Sequence, residues 1–257
     1  MSGRAAAGLA LAAAALALTG CAGGQRRGPP PEVINRVLTG APGEAQPSLV
    51  VATELAYARA AREQGQFTAM GAFAAPAALL HGRNGPVAFT ALAGTLEDPD
   101  TPFQWAPRMV VMSCDGAAAV SAGRFREPEG YVGNYITAWA RQSDGSYRWT
   151  YDVAGRDDPQ PPPAAKPQVG EGDIVVTALD AIRGLVASCP PRGLEVPAPP
   201  AIPIGEGPGN ARLSGDGTLR WRWEHAADGT KQVAVDYFHQ GEWVTAIEEN
   251  LASSPQE

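Results

Sequence analysis

Residues 131–153 read YVGNYITAWARQSDGSYRWTYDV, two strand-like runs joined by a Ser143-Asp144-Gly145 turn. Alternate residues of a strand share one face, because the side-chain period of a β-strand is two residues. Those positions are Tyr131, Gly133, Tyr135, Thr137, Trp139 and Arg141 in the first run and Tyr147, Trp149, Tyr151 and Val153 in the second. Such an aromatic face requires an apolar cover. The stretch therefore predicts an antiparallel hairpin with one buried face.

Two more strand-like runs come directly before this hairpin. They span residues 108–113 and 118–126 and are separated by Cys114-Asp115-Gly116. A Glu127-Pro128-Glu129-Gly130 turn then leads into the hairpin. Three short turns in succession predict four antiparallel neighbours.

The segment upstream of the strands is predicted to be helical. An Ala-rich stretch follows Ser48, which we expect to be the N-cap, and ends before Gly65. The shorter elements that follow are a helix over 67–74, a strand over 78–81, the Asn84-Gly85 turn and a third helix over 87–96. These helices are the available cover for the aromatic face.

The C-terminal part predicts a second, smaller set of strands. Residues 155–172 and 190–209 are rich in Pro and Gly and predict loops, whereas residues 173–188 suit a helix and a strand equally. The runs 219–225, 232–239 and 243–248 predict a three-strand meander.

Apolar and charged residues alternate along the first run of the meander. Leu219, Trp221 and Trp223 are expected to face the body of the protein, together with Val233, Val235 and Tyr237 of the partner strand. The intervening Arg220, Arg222 and Glu224 are expected to form a solvated face.

The order of elements between residues 48 and 154 resembles the nuclear-transport-factor-two-like (NTF2-like) superfamily, which includes ketosteroid isomerases, scytalone dehydratases and SnoaL-like polyketide cyclases. Three stretches also resemble uncharacterised SnoaL-like envelope proteins: Met112-Ser113-Cys114-Asp115-Gly116, Trp139-Ala140-Arg141-Gln142 and Asp216-Gly217-Thr218-Leu219-Arg220-Trp221. The resemblance implies an α+β, cone-shaped fold, in which N-terminal helices pack on a curved antiparallel sheet, followed by the C-terminal β-meander.

The resemblance also implies a largely apolar pocket between the helices and the sheet. Its candidate wall residues are Tyr57, Phe73, Trp105, Tyr135, Trp139 and Trp149; packing in the core is the alternative role for each. An isomerase-like site needs a carboxylate base and hydrogen-bond donors in a dry pocket. Tyr57 is a candidate donor, His81 a candidate acid or base, and Asp152 a candidate base. Alternation places Asp152 opposite Trp149 and Tyr151 and therefore in solvent, so the family pattern is not satisfied.

No other catalytic or metal-binding motif stands out. The chain has no Gly-x-Ser-x-Gly motif and only three histidines. A two-residue turn at Asp228-Gly229 would pair His225 with Gln232, which leaves His239 about 23 Å from His225 along the hairpin. We therefore expect no metal site and no cofactor.

The N-terminus indicates export and lipidation. Arg4 gives a short positive end, residues 5–18 form an uncharged apolar run too short to span a bilayer permanently, and Leu18-Thr19-Gly20-Cys21 resembles the lipobox of bacterial lipoproteins. The sequence predicts cleavage before Cys21 and acylation of its thiol, which anchors a protein to a membrane. Ala22 after this cysteine favours the outer over the inner membrane by the usual sorting rule.

The net charge and the cysteine content bear on the partners and on a disulfide. The net charge of −7 without a basic cluster argues against nucleic acid as a partner. Cys114 and Cys189 are the remaining cysteines, and in the periplasm they are expected to form a disulfide, with two buried free thiols as the alternative.

The predicted organisation is a signal peptide over 1–20, a lipidated Cys21 and flexible tether over 21–47, a SnoaL-like domain over 48–154, Pro/Gly-rich loops with one short element over 155–209 and the meander over 210–250. The leading hypothesis is a lipid-anchored, periplasm-facing module without catalytic activity that binds a small apolar ligand or an envelope protein. The alternatives are an acid-base enzyme of isomerase, dehydratase or cyclase type and a structural envelope protein that assembles through the meander.

Overall fold

The computed structural model describes residues 44–162, 181–191, 194–201 and 209–253. The predicted signal peptide, Cys21 and the tether up to residue 43 lie outside the described residues. The described elements, in chain order, are α1 (Pro47–Gln64), α2 (Gln66–Phe73), β1 (Ala74–Gly82), β2 (Gly85–Ala88), α3 (Phe89–Leu92), β3 (Gln104–Met112), β4 (Ala118–Arg126), β5 (Val132–Arg141), β6 (Tyr147–Arg156), β7 (Arg183–Val186), β8 (Gly209–Leu213), β9 (Leu219–His225), β10 (Lys231–His239) and β11 (Glu242–Leu251). No helix within the described ranges is long and apolar enough to cross a membrane.

Helix α1 starts slightly earlier than the sequence predicts. Pro47 is its first residue and Gln46 its N-cap, so the expected capping role of Ser48 is wrong. Proline suits the first helical position because its fixed φ is helical and its missing N–H would have no partner there. Gly65 ends the helix with a φ of 112°, as its sequence position indicates.

The third predicted helix is shorter than expected and is preceded by a strand. Residues 85–88 form β2, in which Val87 pairs with Leu80 of β1, and only Phe89–Leu92 are helical. A two-residue turn at Arg83-Asn84, one residue before the predicted Asn84-Gly85 turn, joins β1 and β2 in a tight hairpin, so the residues that follow pair as a strand.

Seven strands form the large sheet in the order β2-β1-β6-β5-β4-β3-β7. The four predicted central strands are antiparallel neighbours, as expected. Strand β1 pairs with β6 in parallel, and the short β7 pairs with β3 in parallel. Residues 183–186 of the ambiguous 173–188 segment are therefore a strand. The structure is a mixed α and β fold with a large curved sheet and few helices.

A second sheet of four strands, in the order β11-β10-β9-β8, contains the predicted meander. Strand β8 is additional and pairs with β9. The prediction for its apolar rows is confirmed, because they pack against the large sheet in one core. This core includes Leu219, Trp221, Trp223, Val233, Val235 and Tyr237 from the meander and Val111, Val120, Ile136, Ala138, Tyr151 and Val153 from the large sheet.

The opposite face of the large sheet is covered by the helices. Val50, Tyr57 and Ala61 of α1 pack here with Trp139 and Trp149 of the sheet. The large sheet is thus buried on both faces, by helices on one side and by the meander on the other.

The predicted solvated face of the meander is wrong. Arg220 and Arg222 are only 7% exposed, and both donate hydrogen bonds to Asp236 of β10. Arg220 also donates to the carbonyl oxygen of Pro200 at 2.7 Å. Paired charges and a covering segment from the Pro-rich region explain how a charged row is buried here.

The predicted disulfide between Cys114 and Cys189 is confirmed. Their Cα atoms are 5.1 Å apart, within the usual range for a disulfide. The bond joins the turn after β3 to the residues that follow β7. It therefore cross-links the ends of two paired strands of the large sheet.

Candidate functional site

A cavity of about 90 Å³ lies between helices α1 and α2 and the helix-facing side of strands β3 to β6. Its wall is mostly apolar but contains two carboxyl groups and two tyrosines. The lining residues are Glu54, Tyr57, Gln66, Met70, Phe103, Trp105, Phe125, Tyr135, Thr137, Asp152 and Ala154.

Glu54 is the most unusual residue of this cavity. It lies on the buried stripe of α1 with Val50, Tyr57 and Ala61, and it is 1% exposed. Neither of its carboxylate oxygens has a hydrogen-bond partner of good geometry among the described residues. Burial raises the pKa of Glu54 to about 7, and the nearby Tyr135 and Ser121 hydroxyls only partly offset this increase.

Asp152 faces the same cavity, and the prediction that it points into solvent is wrong. The cause is a β-bulge at Thr150, because Trp139 pairs with Trp149 whereas Ala138 pairs with Tyr151. The extra residue reverses the alternation along β6. Trp149 therefore faces the helices, Tyr151 faces the meander, and Asp152 returns to the helix side.

A hydrogen bond fixes the Asp152 carboxylate in the cavity wall. The Thr137 hydroxyl of β5 donates to Oδ1 of Asp152 at 2.5 Å. Burial raises the pKa of Asp152 to about 6, and the Thr137 bond acts in the opposite direction. Glu54 and Asp152 thus both bind protons close to neutral pH.

Two tyrosine hydroxyls accompany the carboxyl groups. Burial, together with the charges of Asp152 and Glu54, raises the pKa of Tyr57 and of Tyr135 well above the ordinary value. Both phenols therefore remain protonated and can donate hydrogen bonds. The Tyr135 hydroxyl is buried near Glu54 and makes no hydrogen bond of good geometry with the described residues.

Aromatic rings form most of the remaining wall. Trp105 meets Tyr57 edge-on at a centroid distance of 4.9 Å, and Phe103 stacks on Phe125 at 5.9 Å. The side-chain oxygen of Gln66 accepts a hydrogen bond from the Phe103 backbone at 2.8 Å and holds this residue in place.

Two glycines make room for the rings on the sheet. A Cβ atom at Gly123 would lie 2.6 Å from the Tyr135 hydroxyl, and one at Gly133 would lie 2.5 Å from the Phe125 ring. Each ring thus crosses its neighbouring strand at a position where a side chain would collide with it. The glycines are part of what places Tyr135 and Phe125 at the cavity.

Three of the six predicted wall residues line the cavity: Tyr57, Trp105 and Tyr135. The other three are packing residues. Phe73 stacks on Tyr57 at a centroid distance of 5.1 Å, and Trp139 and Trp149 are each 1% exposed within the helix-side core. Their indole N–H groups donate to the Ser121 hydroxyl and the Met70 carbonyl, respectively.

His81 is remote from these residues because it faces the meander. Its Nδ1 lies 2.6 Å from the Tyr151 hydroxyl and its Nε2 lies 3.1 Å from Nδ1 of His225. Burial and the nearby His225 and Lys231 lower the pKa of His81 to about 4. It is therefore a neutral, hydrogen-bonded core histidine, and the candidate acid-base set of Tyr57, His81 and Asp152 is not assembled as a whole.

The predicted partner of His225 is also wrong. His225 pairs with Lys231, and the turn spans Ala226–Thr230 instead of two residues. The described residues contain no group of three or more side chains that could hold a metal ion.

Glu54 is the main functional candidate that sequence reasoning missed. The sequence does contain a pattern that indicates this residue. Glu54 lies four residues after Val50 and three before Tyr57, in the middle of the apolar stripe of an Ala-rich helix. A charged residue at such a position indicates either a buried ion pair or a site. Phe103, Phe125 and Met70 carried no comparable pattern.

No protein-family model matches this chain, and no curated protein matches it significantly. Among solved structures, the chain is similar to a nuclear transport factor 2 (NTF2-like) superfamily protein from Salmonella enterica subsp. enterica serovar Typhimurium str. LT2. The TM-score is 0.30 and the identity is 15%, over 49% of this chain and 96% of the Salmonella chain.

Proposed function

We propose that this chain is a lipid-anchored envelope protein that binds a small, largely apolar molecule in the Glu54 cavity. The observation that carries the proposal is a cluster of buried polar atoms on the cavity wall, both carboxylate oxygens of Glu54 and the Tyr135 hydroxyl, which make no hydrogen bond of good geometry with the described residues. Leaving a buried polar group unsatisfied costs about 1–3 kcal/mol. A ligand that carries one polar group would recover this energy.

The size of the cavity limits the ligand. A water molecule needs about 10–15 Å³ of such volume. A cavity of about 90 Å³ therefore accommodates several waters, a small organic molecule or one end of a longer one. Ala154 is the one exposed residue among the described lining residues, so the entrance lies on its side.

The support for the lipid anchor comes from the sequence. Leu18-Thr19-Gly20-Cys21 follows an uncharged apolar run, and acylation of Cys21 would tether the domain to a membrane with the cavity in the periplasm. The residue Ala22 favours the outer membrane. The disulfide supports this location because such bonds form and persist in oxidising compartments.

A second candidate function is acid-base catalysis on the bound molecule. It is favoured by the presence of two carboxyl groups in one cavity, with the pKa of Glu54 raised to about 7 and that of Asp152 raised to about 6. Enzymes that transfer protons at neutral pH use groups of this kind. In this function Asp152 accepts the proton, and Tyr57, Tyr135 and neutral Glu54 donate hydrogen bonds.

The structure gives less support to the third hypothesis, a structural envelope protein that assembles through the meander. Trp221 and Trp223 are buried in the core. Among residues 219–248, Val244 is the exposed large hydrophobic residue. A contiguous apolar patch, which marks many interaction surfaces, is not formed by this stretch.

The binding proposal is tested with phenol, a neutral ring with one hydroxyl. Saturation-transfer NMR on the full-length chain in a nonionic detergent should show contact between phenol and the protein. The variant Ala154→Phe, which puts a ring at the cavity entrance, should abolish the effect. The matched control Ala77→Phe, at an exposed alanine of β1 away from the cavity, should preserve it.

Equal phenol signals in the two variants would place binding elsewhere and contradict the proposal. Turnover is assessed separately, since an enzyme would exchange solvent deuterium into an enolisable ketone such as cyclohexanone, and Asp152→Asn should stop this exchange. Phenol binding without deuterium exchange into the ketone would support the noncatalytic binding function.

A further inference from the structure

The charged groups that line the cavity all have one sign. Glu54 and Asp152 are both acidic, and no Lys, Arg or His is among the described lining residues. Glu54 is almost fully buried, and a buried carboxylate is costly unless a cation or hydrogen-bond donors compensate its charge. Within the described part of the chain, the hydroxyls nearest to Glu54, those of Tyr135 and Ser121, make no hydrogen bond of good geometry with its carboxylate oxygens.

The rest of the wall suits a positive charge. Five aromatic residues line the cavity: Tyr57, Phe103, Trp105, Phe125 and Tyr135. The face of an aromatic ring attracts a cation through its quadrupole, and the attraction is greatest for tryptophan and for desolvated sites. Rings combined with carboxylates are therefore complementary to an organic cation, which also has the apolar surface that the wall can bury.

Other classes of occupant fit the charges less well. A carboxylate or phosphate group would approach two acidic side chains without any basic residue to balance it. An inorganic cation would require several oxygen ligands in place of the aromatic wall. A neutral alcohol or ketone is compatible with the wall, but it would leave the ionised form of Asp152 without an opposite charge.

We infer that the ligand of this cavity is a small organic cation, an alkylammonium or quaternary ammonium group held between the aromatic rings and the carboxylates of Glu54 and Asp152. This inference rests on the proposed binding function and specifies its ligand class. The carboxylates provide the opposite charge, and the Trp105 and Tyr57 rings provide the apolar contact.

The test compares two probes of nearly the same shape. Choline carries a trimethylammonium group, and 3,3-dimethylbutan-1-ol has a neutral tert-butyl group in its place. Calorimetric titration of the full-length chain in nonionic detergent at pH 8, where both carboxyls are ionised, should give at least tenfold tighter binding for choline. Equal or tighter binding of the neutral alcohol would overturn the inference while leaving the pocket as a binding site.

Variants assign the effect to the cavity. Glu54→Gln should weaken choline binding at least tenfold and change binding of the alcohol by no more than about twofold. Glu63→Gln, at an exposed position of the same helix, should leave both affinities unchanged. Asp152→Asn is the second variant should Glu54→Gln fail to fold. If neither carboxyl variant affects choline binding, the inference is wrong.

The pH dependence offers an independent readout. The titratable groups that face Glu54 are Tyr57 on its own helix, Tyr135 on β5 and Asp152 on β6. The tyrosines stay protonated, so only the two carboxyls lose protons as the pH rises from 5.5 to 8. Choline affinity should increase about tenfold or more over this range, and a flat profile would contradict the inference. If phenol, choline and the alcohol all fail to bind, the binding proposal itself fails.

Discussion

Replacing Glu54 by Gln should stabilise the protein at alkaline pH. The folded state raises the pKa of Glu54 from 4.5 to about 7, so between these values the folded protein holds a proton that the unfolded chain has lost. The free energy of unfolding is therefore greatest below pH 4.5, and it decreases as the pH rises from 4.5 to about 7. Gln has nearly the same shape and does not ionise, so the variant avoids this loss.

The magnitude follows from the size of the shift. A change from 4.5 to about 7, at 1.36 kcal/mol for each pKa unit, corresponds to about 3 kcal/mol above pH 7. Most of it, about 2.5 kcal/mol, develops between pH 5 and pH 8. No large discount for solvent screening applies because the residue is 1% exposed.

The assay is guanidinium unfolding followed by tryptophan fluorescence, at pH 5 and pH 8, for the wild type, Glu54→Gln and the exposed control Glu63→Gln. The stability of Glu54→Gln relative to the wild type should increase by about 2–3 kcal/mol between the two pH values. The control should show no such increase. A change below about 0.5 kcal/mol for Glu54→Gln, which is within experimental error, would show that the pKa of Glu54 is not raised in the folded protein.

The other predictions concern the packing, the disulfide and the anchor. Trp221→Ala should reduce the free energy of unfolding by about 3–5 kcal/mol, measured by guanidinium unfolding, because its ring fills the core between the sheets; a loss below about 1 kcal/mol would show that the meander packs loosely. Replacing Cys114 and Cys189 by Ser should reduce stability by about 4.5 kcal/mol from chain entropy across a separation of 75 residues, and peptide mapping of the wild type that finds two free thiols would contradict this. Cys21→Ser should abolish metabolic palmitate labelling, and normal labelling of that variant would exclude lipidation at Cys21.

Much of the fold is readable from local patterns. Strands β4 and β9 begin and end at the predicted residues, because short turns bracket runs with a clear two-residue period. Strand β8 was not predicted, and the segment that contains β7 was left open between helix and strand; both strands flank the Pro/Gly-rich region. They are short edge strands whose pairing depends on distant partners, so they have no strong local pattern.

The candidate site was harder to predict, for two physical reasons. The bulge at Thr150 changes which face Asp152 occupies, and an inserted residue of this kind leaves the two-residue pattern of the sequence intact. The buried charges on the meander were mispredicted although their pattern is regular. Arg220 and Arg222 alternate with apolar residues, and this alternation normally indicates a solvent-exposed face. Only the tertiary contacts with Asp236 and Pro200 show that this face is covered.

A ¹³C NMR titration of the Glu54 and Asp152 side chains tests most directly whether the two carboxyls of this cavity bind protons near neutral pH. Midpoints of about 7 for Glu54 and about 6 for Asp152 are expected in the free protein. Saturating choline should lower both by about 1 unit or more, because a nearby positive charge favours the ionised form. Midpoints close to 4 for both groups, unchanged by choline, would contradict the account.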